Sequence, residues 1–147
     1  MGRSRRPQVV IVDDHESFRD AARDCLTARG YDVVAEASCA ATAMRAVERH
    51  DAEAMLLDIH LGDDDGFAVC DAVTRVRPDL AVLLTSVQNY EHYREKIESC
   101  GARGFIRKAH LATVDLSRFW QPAEGRAARG RAASPRQTRS SRWPRVF

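Results

Sequence analysis

Five polar residues of this 147-residue chain lie at or just beyond the ends of apolar runs: Asp13, Asp14, Asp58, Thr85 and Lys108. Two carboxylates 4 Å apart repel each other by about 4 kcal/mol at an effective dielectric constant near 20, so three carboxylates in one place require a cation. Carboxylate oxygens completed by water suit Mg²⁺. A lysine and a hydroxyl group beside them supply the charge and the donor that bind a phosphoryl group. If the fold brings these residues together, they can support magnesium-dependent phosphoryl chemistry.

Short apolar runs with the composition of buried strands recur along the chain. We predict strands at residues 8–12, 33–37, 54–58, 80–86 and 104–108. Apolar residues at helical spacing follow each run, in segments that begin near Ser17, Ala40, Phe67, Tyr93 and Leu111, the last continuing to Trp120. Strands that alternate with helices predict an α/β fold, with a doubly wound five-stranded parallel sheet and helices on both faces.

Polar residues at the strand ends are expected to share one site, because in such sheets function gathers beyond the carboxyl ends of the strands. This expectation places Asp58 at the rim of the site, with only the residues before it buried. The neighbouring acids Asp63, Asp64 and Asp65 precede Gly66, and we interpret them as a turn rather than as metal ligands. His15 has no second histidine at metal-ligand spacing, and we place it beside the site or in solvent.

Composition indicates one globular domain with charged extensions. Apolar residues make up 44% of the chain and charged residues 30%, and no apolar run approaches the 18 residues of a membrane span. We divide the chain into a flexible basic N-terminus (1–7), a folded domain (8–121) and a disordered arginine-rich tail (122–147). The four cysteines lie far apart in sequence, which favours reduced thiols in a cytoplasmic protein without membrane contact.

Residues 122–147 carry seven arginines against one acid, so the tail is basic and the rest of the chain is acidic. Such a tail can contact nucleic acid through phosphate charges. It has no aromatic residue before Trp143, and we favour a solvated extension over a nucleic-acid contact. A phosphorylation-regulated nucleic-acid binder that acts through the tail remains an alternative.

The sequence resembles the receiver domain of two-component response regulators. The matching stretches, in family order and spacing, are VDDH (12–15), LLDIHLGDDDGF (56–67), LLTS (83–86) and GARGFIRK (101–108). They are most similar to receivers of the subfamily that is usually joined to a helix-turn-helix output domain. The resemblance implies a flavodoxin-like fold with strand order 2-1-3-4-5.

The resemblance also implies a role for each residue of the site. Asp58 would be the phosphoacceptor, with Thr85 and Lys108 binding phosphoryl oxygens. Asp13, Asp14, Asp58 and the backbone carbonyl of His60 would hold Mg²⁺. Thr85 and Phe105 would form the switch that changes the surface of the fourth helix, fifth strand and fifth helix. Lys108 precedes Ala109 where many members have a cis proline, and we expect a trans bond here.

The resemblance further implies a phosphoryl donor, which is a histidine kinase or a phosphotransfer protein, and an output protein that the sequence does not identify. It leaves open homodimerisation through the fourth helix, fifth strand and fifth helix. The protein would not be an enzyme beyond self-phosphorylation from phosphodonors and autodephosphorylation. A small Mg²⁺-dependent aspartyl-phosphate hydrolase is an alternative, but that chemistry wants an acid two residues after the nucleophile, where this chain has His60.

Overall fold

A computed structural model describes residues 5–120 of the chain. Most of the predicted N-terminal segment (1–7) and all of the predicted tail (122–147) lie outside the described residues. Within residues 5–120, no helix is long and apolar enough to cross a membrane.

Five parallel strands form the predicted sheet. They are β1 (Gln8–Val12), β2 (Asp32–Ala37), β3 (Ala54–Asp58), β4 (Ala81–Ser86) and β5 (Gly104–Arg107). The spatial order is 2-1-3-4-5, with every neighbouring pair parallel, which confirms the predicted fold. The three central strands are buried almost throughout, because helices or loops cover both faces of the sheet.

Within residues 5–120, four α-helices flank the sheet: α1 (Glu16–Ala28), α2 (Ala40–Arg49), α3 (Gly66–Val76) and α4 (Arg94–Ser99). A 3₁₀ turn, Tyr90–Tyr93, leads into α4. The side chains of each central strand alternate between two cores, as the two-residue period of a strand requires. Val10 and Val12 face the core beneath α2, α3 and α4, whereas Val9 and Ile11 face the core beneath α1.

The predicted fifth helix, Leu111 to Trp120, is wrong. Residues 108–120 contain only two 3₁₀ turns, Lys108–His110 and Leu116–Arg118. Arg29, at the end of α1, donates to the carbonyl of Leu111 at 2.7 Å and to that of Val114. These carbonyls would accept backbone N–H groups in a continuous helix, so the guanidinium replaces the helical bonds at this point.

Residues 108–120 nevertheless cover the face of the sheet that a fifth helix would cover. Leu111, Val114, Leu116, Phe119 and Trp120 are all buried in the same core as α1. Phe119 lies directly over Gly104, where a Cβ atom would overlap the ring. The Trp120 ring packs edge-on against Tyr31, with centroids 5.3 Å apart. The apolar residues that suggested a helix therefore fill the core without forming one.

Candidate functional site

The carboxyl ends of β1, β3 and β4 bring the predicted residues together. Asp58 and Thr85 are direct neighbours in the register of β3 and β4, and the amide of Ile59 donates to the Thr85 carbonyl at 3.0 Å. Asp13 follows β1, and its amide donates to the Ala37 carbonyl at the end of β2, at 3.0 Å. Three strand ends thus fix the positions of the acids and the hydroxyl group.

Four side chains form a cluster that could hold a metal ion: Asp13, Asp14, His15 and Asp58. Each offers a ligand atom, and these atoms lie within 4.8 Å of one another. Asp13 and Asp58 are buried, whereas Asp14 and His15 reach solvent. The cluster therefore combines an interior half with an open half, through which an ion and its waters can enter.

Lys108 binds both buried acids. Its Nζ atom lies 2.7 Å from Asp13 Oδ2 and 3.4 Å from Asp58 Oδ2. The same ammonium lies 4.5 Å from the centre of the Phe18 ring, within cation–π range. The peptide bond between Lys108 and Ala109 is trans, as predicted. The lysine thus partly neutralises a pair of carboxylates that would otherwise repel each other.

Asp58 is 3% exposed, so the prediction that it lies at the rim with only its predecessors buried is wrong. Burial raises the pKa of its carboxyl group, and the negative charge of Asp13 raises it further. Lys108 and the amide of His60, which donates to Asp58 Oδ1 at 3.2 Å, oppose that rise in pKa. The carboxylate therefore lies inside the protein, beside Lys108 and Asp13, rather than at its surface.

That hairpin pairs His60–Leu61 with Asp64–Asp65 and turns at Gly62, whose φ is +63°. Gly66 then begins α3 directly against the end of β3, where a Cβ atom would overlap the Asp58 carbonyl and the Ile59 backbone. Its amide donates to the Ile59 carbonyl at 2.8 Å. Glycine is required there because the chain passes so close to the strand.

The acids of the hairpin are structural, which agrees with the interpretation of a turn. Asp65 caps α3 by accepting the Phe67 amide at 3.0 Å, and Asp64 accepts the Ala40 amide at the start of α2 at 2.8 Å. Asp63 is exposed. None of these three residues belongs to the metal cluster found in residues 5–120.

Thr85 and Phe105 are both buried, Thr85 next to Asp58 in the register of β3 and β4, and Phe105 next to Leu84 in that of β4 and β5. The Thr85 hydroxyl is fully buried and has no hydrogen-bond partner within the described residues. Phe105 is 2% exposed, and its ring lies 6.2 Å from that of Tyr90. A buried hydroxyl without a partner is costly, so Thr85 retains the capacity to bind a group that enters the site.

Sequence reasoning missed several residues that support the site. His15 lies beside the site, as predicted, but it is also one of the four residues of the metal cluster: its Nδ1 atom lies 3.3 Å from Asp13 Oδ1 and 3.2 Å from Asp14 Oδ1. Arg19 donates to the backbone carbonyl of Asp13 at 2.6 Å and to Glu36 at 3.1 Å. The position of His15 directly after the acid pair was the available signal for the histidine. For Arg19, the sequence offers no signal, because its contacts depend on the path of the loop.

The family of response regulator receiver domains matches residues 9–116, which contain every residue of this site. The chain belongs to this family. It is thus a receiver domain of the response regulators of two-component systems, and the resemblance noted in the sequence is confirmed.

Individual relatives agree with that membership. DegU, a transcriptional regulatory protein of Brevibacillus brevis, is 29% identical over 121 residues, which cover 82% of this receiver chain and 51% of DegU. The signal receiver domain of the response regulator NarL from Mycobacterium tuberculosis is 28% identical, with a TM-score of 0.66, over 73% of this chain and 90% of that one.

A more distant structure supports the fold alone. It is a response regulator protein from Burkholderia pseudomallei with a phosphorylated aspartic acid, calcium ion and citrate, 22% identical, with a TM-score of 0.71 over 88% of this chain and 75% of that one. This receiver chain spans about half or less of the length of the first curated relatives that it matches. Those relatives are named mostly as regulators rather than as enzymes.

Proposed function

We propose that this receiver domain accepts a phosphoryl group on Asp58 and changes its surface in response. The observation that carries the proposal is the pairing of one lysine with two buried acids: Lys108 Nζ contacts both Asp13 and Asp58. Such an arrangement holds a reactive carboxylate near a positive charge inside the protein, where electrostatic interactions are strong. A histidine kinase or a phosphotransfer protein would supply the phosphoryl group.

The donor set fits Mg²⁺. Asp13, Asp14, Asp58 and the backbone carbonyl of His60 would hold the ion, and all four are oxygen ligands of the kind that it prefers. The ligand atoms of Asp13, Asp14 and Asp58 lie within 4.8 Å of one another, which supports the fit. Burial, and then the charge of Asp13, raise the pKa of Asp58 despite Lys108, so a cation would stabilise its ionised form. When bound, Mg²⁺ neutralises charge on the phosphoryl oxygens.

The chain's own residues would divide the transfer among them. A carboxylate oxygen of Asp58 forms the new bond to phosphorus as the bond to the donor breaks. Lys108 turns from the acids toward a phosphoryl oxygen, because the incoming group carries more charge than a carboxylate. Thr85 donates its unpartnered hydroxyl to another phosphoryl oxygen.

We further propose that Thr85 and Phe105 transmit the change to the surface. Thr85 moves toward the phosphoryl group, and phosphorylation favours the inward position of Phe105, which is already buried here with its ring 6.2 Å from that of Tyr90. The surface that responds consists of α4, β5 and residues 108–120, which here replace a fifth helix. An output protein or a second copy of the chain would bind the altered surface. Two surface arrangements in equilibrium are sufficient, provided that the phosphoryl group contacts them differently.

Relatives lend support at the level of the family. DegU, which is 29% identical, is named as a transcriptional regulatory protein. Asp58 ends β3 and Asp13 follows β1, and both contact Lys108; the stretch LLDIHLGDDDGF, which resembles the family, favours Asp58 as the phosphoacceptor. A donor would approach Asp58 from the side of the exposed residues Asp14 and His15.

The test is labelling of the full chain by acetyl phosphate with Mg²⁺, followed by intact-protein mass spectrometry. We expect one phosphoryl group on the wild-type chain and none on Asp58→Asn. Asp63→Asn is the matched control, because Asp63 is an exposed acid of the adjoining hairpin, and it should label normally. Retention of the label by Asp58→Asn would refute the assignment.

A further inference from the structure

A chain of two hydrogen bonds joins three segments around the proposed phosphoacceptor. His60 Nε2 lies 2.9 Å from the Tyr93 hydroxyl oxygen, and that hydroxyl donates to Gln88 Oε1 at 2.9 Å. A phenol has one proton, and here Gln88 receives it. His60 must therefore donate from Nε2 to Tyr93, so the bonds run in one direction from His60 through Tyr93 to Gln88.

Ring packing holds Tyr93 in place. The ring of His60 meets it edge-on, with centroids 5.9 Å apart. On another side, Phe67, which lies in the first turn of α3, is 5.7 Å away. Lys96 of α4 in turn lies over the Phe67 ring at 5.5 Å. The phenol is thus positioned by aromatic contacts that do not depend on its hydroxyl group.

Backbone groups of His60 face the proposed phosphoacceptor and ion. Its amide donates to Asp58 Oδ1 at 3.2 Å, and its carbonyl is one of the proposed Mg²⁺ ligands. A bond that fixes the His60 side chain restricts rotation of both peptide groups. Fixed ligands bind more tightly than mobile ones, because less conformational freedom is lost on binding.

We propose that Tyr93 is a positioning residue of the phosphoacceptor site. Its hydroxyl group bridges His60 and Gln88 and thereby fixes the His60 side chain. Gln88 lies three residues after Thr85, and Tyr93 ends the 3₁₀ turn that leads into α4. The His60–Tyr93–Gln88 chain thus couples the loop that bears the acid ligand to the element whose surface is proposed to respond. By linkage, a partner that binds α4 and displaces Tyr93 alters the affinity of the site for its ion by the same factor as the ion alters partner binding.

The role of Tyr93 at a phosphoacceptor site rests on the proposed function. The first test does not, because it measures only whether Tyr93 positions His60. The test is the solvent exchange rate of the amide proton of residue 60, measured by NMR on the full chain without metal. Tyr93→Phe keeps the ring and removes the hydroxyl. We expect about two- to tenfold faster exchange, which corresponds to the loss of one typical hydrogen bond. Tyr90→Phe is the matched control, since its hydroxyl donates to Glu98 instead, and it should leave the rate unchanged.

A double-mutant cycle separates positioning from a general loss of structure. In a His60→Ala background, Tyr93→Phe should have no further effect on exchange at residue 60, because the bond is already absent. An unchanged rate in the single variant would overturn the proposal, and so would the same acceleration in both backgrounds.

The second measurement is Mg²⁺ affinity by isothermal titration calorimetry. We expect a two- to tenfold loss for Tyr93→Phe, about the worth of one hydrogen bond, with Tyr90→Phe like the wild type. A wild-type chain that binds Mg²⁺ but takes no label from acetyl phosphate would contradict the proposed function alone. Labelling of the wild type together with equal Mg²⁺ affinities in Tyr93→Phe and the wild type would contradict the role of Tyr93 alone.

Discussion

At the scale of single residues, Asp58 illustrates the conflict between stability and reactivity. Burial and the neighbouring Asp13 raise its pKa above the ordinary range of aspartate, which lies near 4. The folded state therefore binds the proton more tightly than the unfolded state does. The resulting stabilisation is fully present below the unfolded pKa and is lost as pH rises through the folded pKa. Burial and the charge of Asp13 therefore make the ionised form of Asp58 costly in the metal-free fold.

Because the ionised form of Asp58 is costly to bury, we predict that Asp58→Asn stabilises the metal-free protein. At pH 7 we expect an increase on the order of 1 kcal/mol in the free energy of unfolding, because Lys108 keeps Asp13 as its partner while the second buried charge is gone. The increase should shrink as pH falls toward the ordinary aspartate pKa, since the wild-type carboxyl group then becomes protonated. Urea denaturation followed by circular dichroism, at several pH values with a chelator present, measures it.

Asp63→Asn is again the control, and its stability relative to wild type should not vary with pH in the same way. A variant Asp58→Asn that is less stable than wild type at pH 7 would mean that Lys108 and the His60 amide outweigh the cost of burial.

At the scale of secondary-structure elements, the segment after β5 shows how a side chain can stop a helix. Its apolar residues suggest helical spacing, and they are buried as a helix would bury them. Arg29 nevertheless binds the carbonyls of Leu111 and Val114, and Asp115 accepts the Ser117 amide at 3.1 Å to begin a separate turn. The carbonyls and amides of the segment thus find partners outside a helical ladder.

Arg29→Gln should accordingly destabilise the protein by about 1.5 to 3 kcal/mol, the range for hydrogen bonds to a charged group. The expected readout is a lower urea midpoint with an unchanged slope, since the core residues remain in place. Arg45→Gln replaces an exposed arginine of α2 and serves as the matched control. If Arg29→Gln instead increased the helical circular dichroism signal at no cost in stability, residues 108–120 would form the helix once the guanidinium is absent.

Elements whose structure is decided by neighbouring residues in the sequence were predicted correctly. The strands β1 and β3 match their predicted bounds because each is a continuous apolar run in a buried sheet. The helix predicted from Leu111 to Trp120 does not form, because the contact that prevents it comes from Arg29, about 80 residues away in the chain. The same limit explains why the contacts of Phe18 with Lys108 and of Tyr93 with His60 were not predicted, because packing between elements sets them.

At the scale of the whole molecule, parallel topology is what made the site predictable. Residues that end parallel strands lie at one edge of the sheet, so Asp13, Asp58 and Thr85 meet even though they are widely separated in sequence. The burial of Asp58 was not predictable, because it depends on how residues from other elements, such as Lys108, pack around the end of β3. Burial therefore had to be read from the folded chain, and it changes the expected pKa of Asp58.

Because separate strands supply the acids, an ion bound by them should stabilise the entire fold. A ligand that binds only the native state contributes about 2.7 kcal/mol when its concentration is 100 times its dissociation constant. We expect Mg²⁺ to raise the thermal midpoint of the full chain, measured by differential scanning calorimetry. The rise should be smaller at low pH, since protonated carboxyl groups do not bind the ion. Asp13→Asn should remove most of the rise, because it removes one of the two buried acids, whereas Asp63→Asn should retain it. Equal shifts in both variants would place the ion elsewhere on the acidic surface and would leave Asp13 as a partner of Lys108 only.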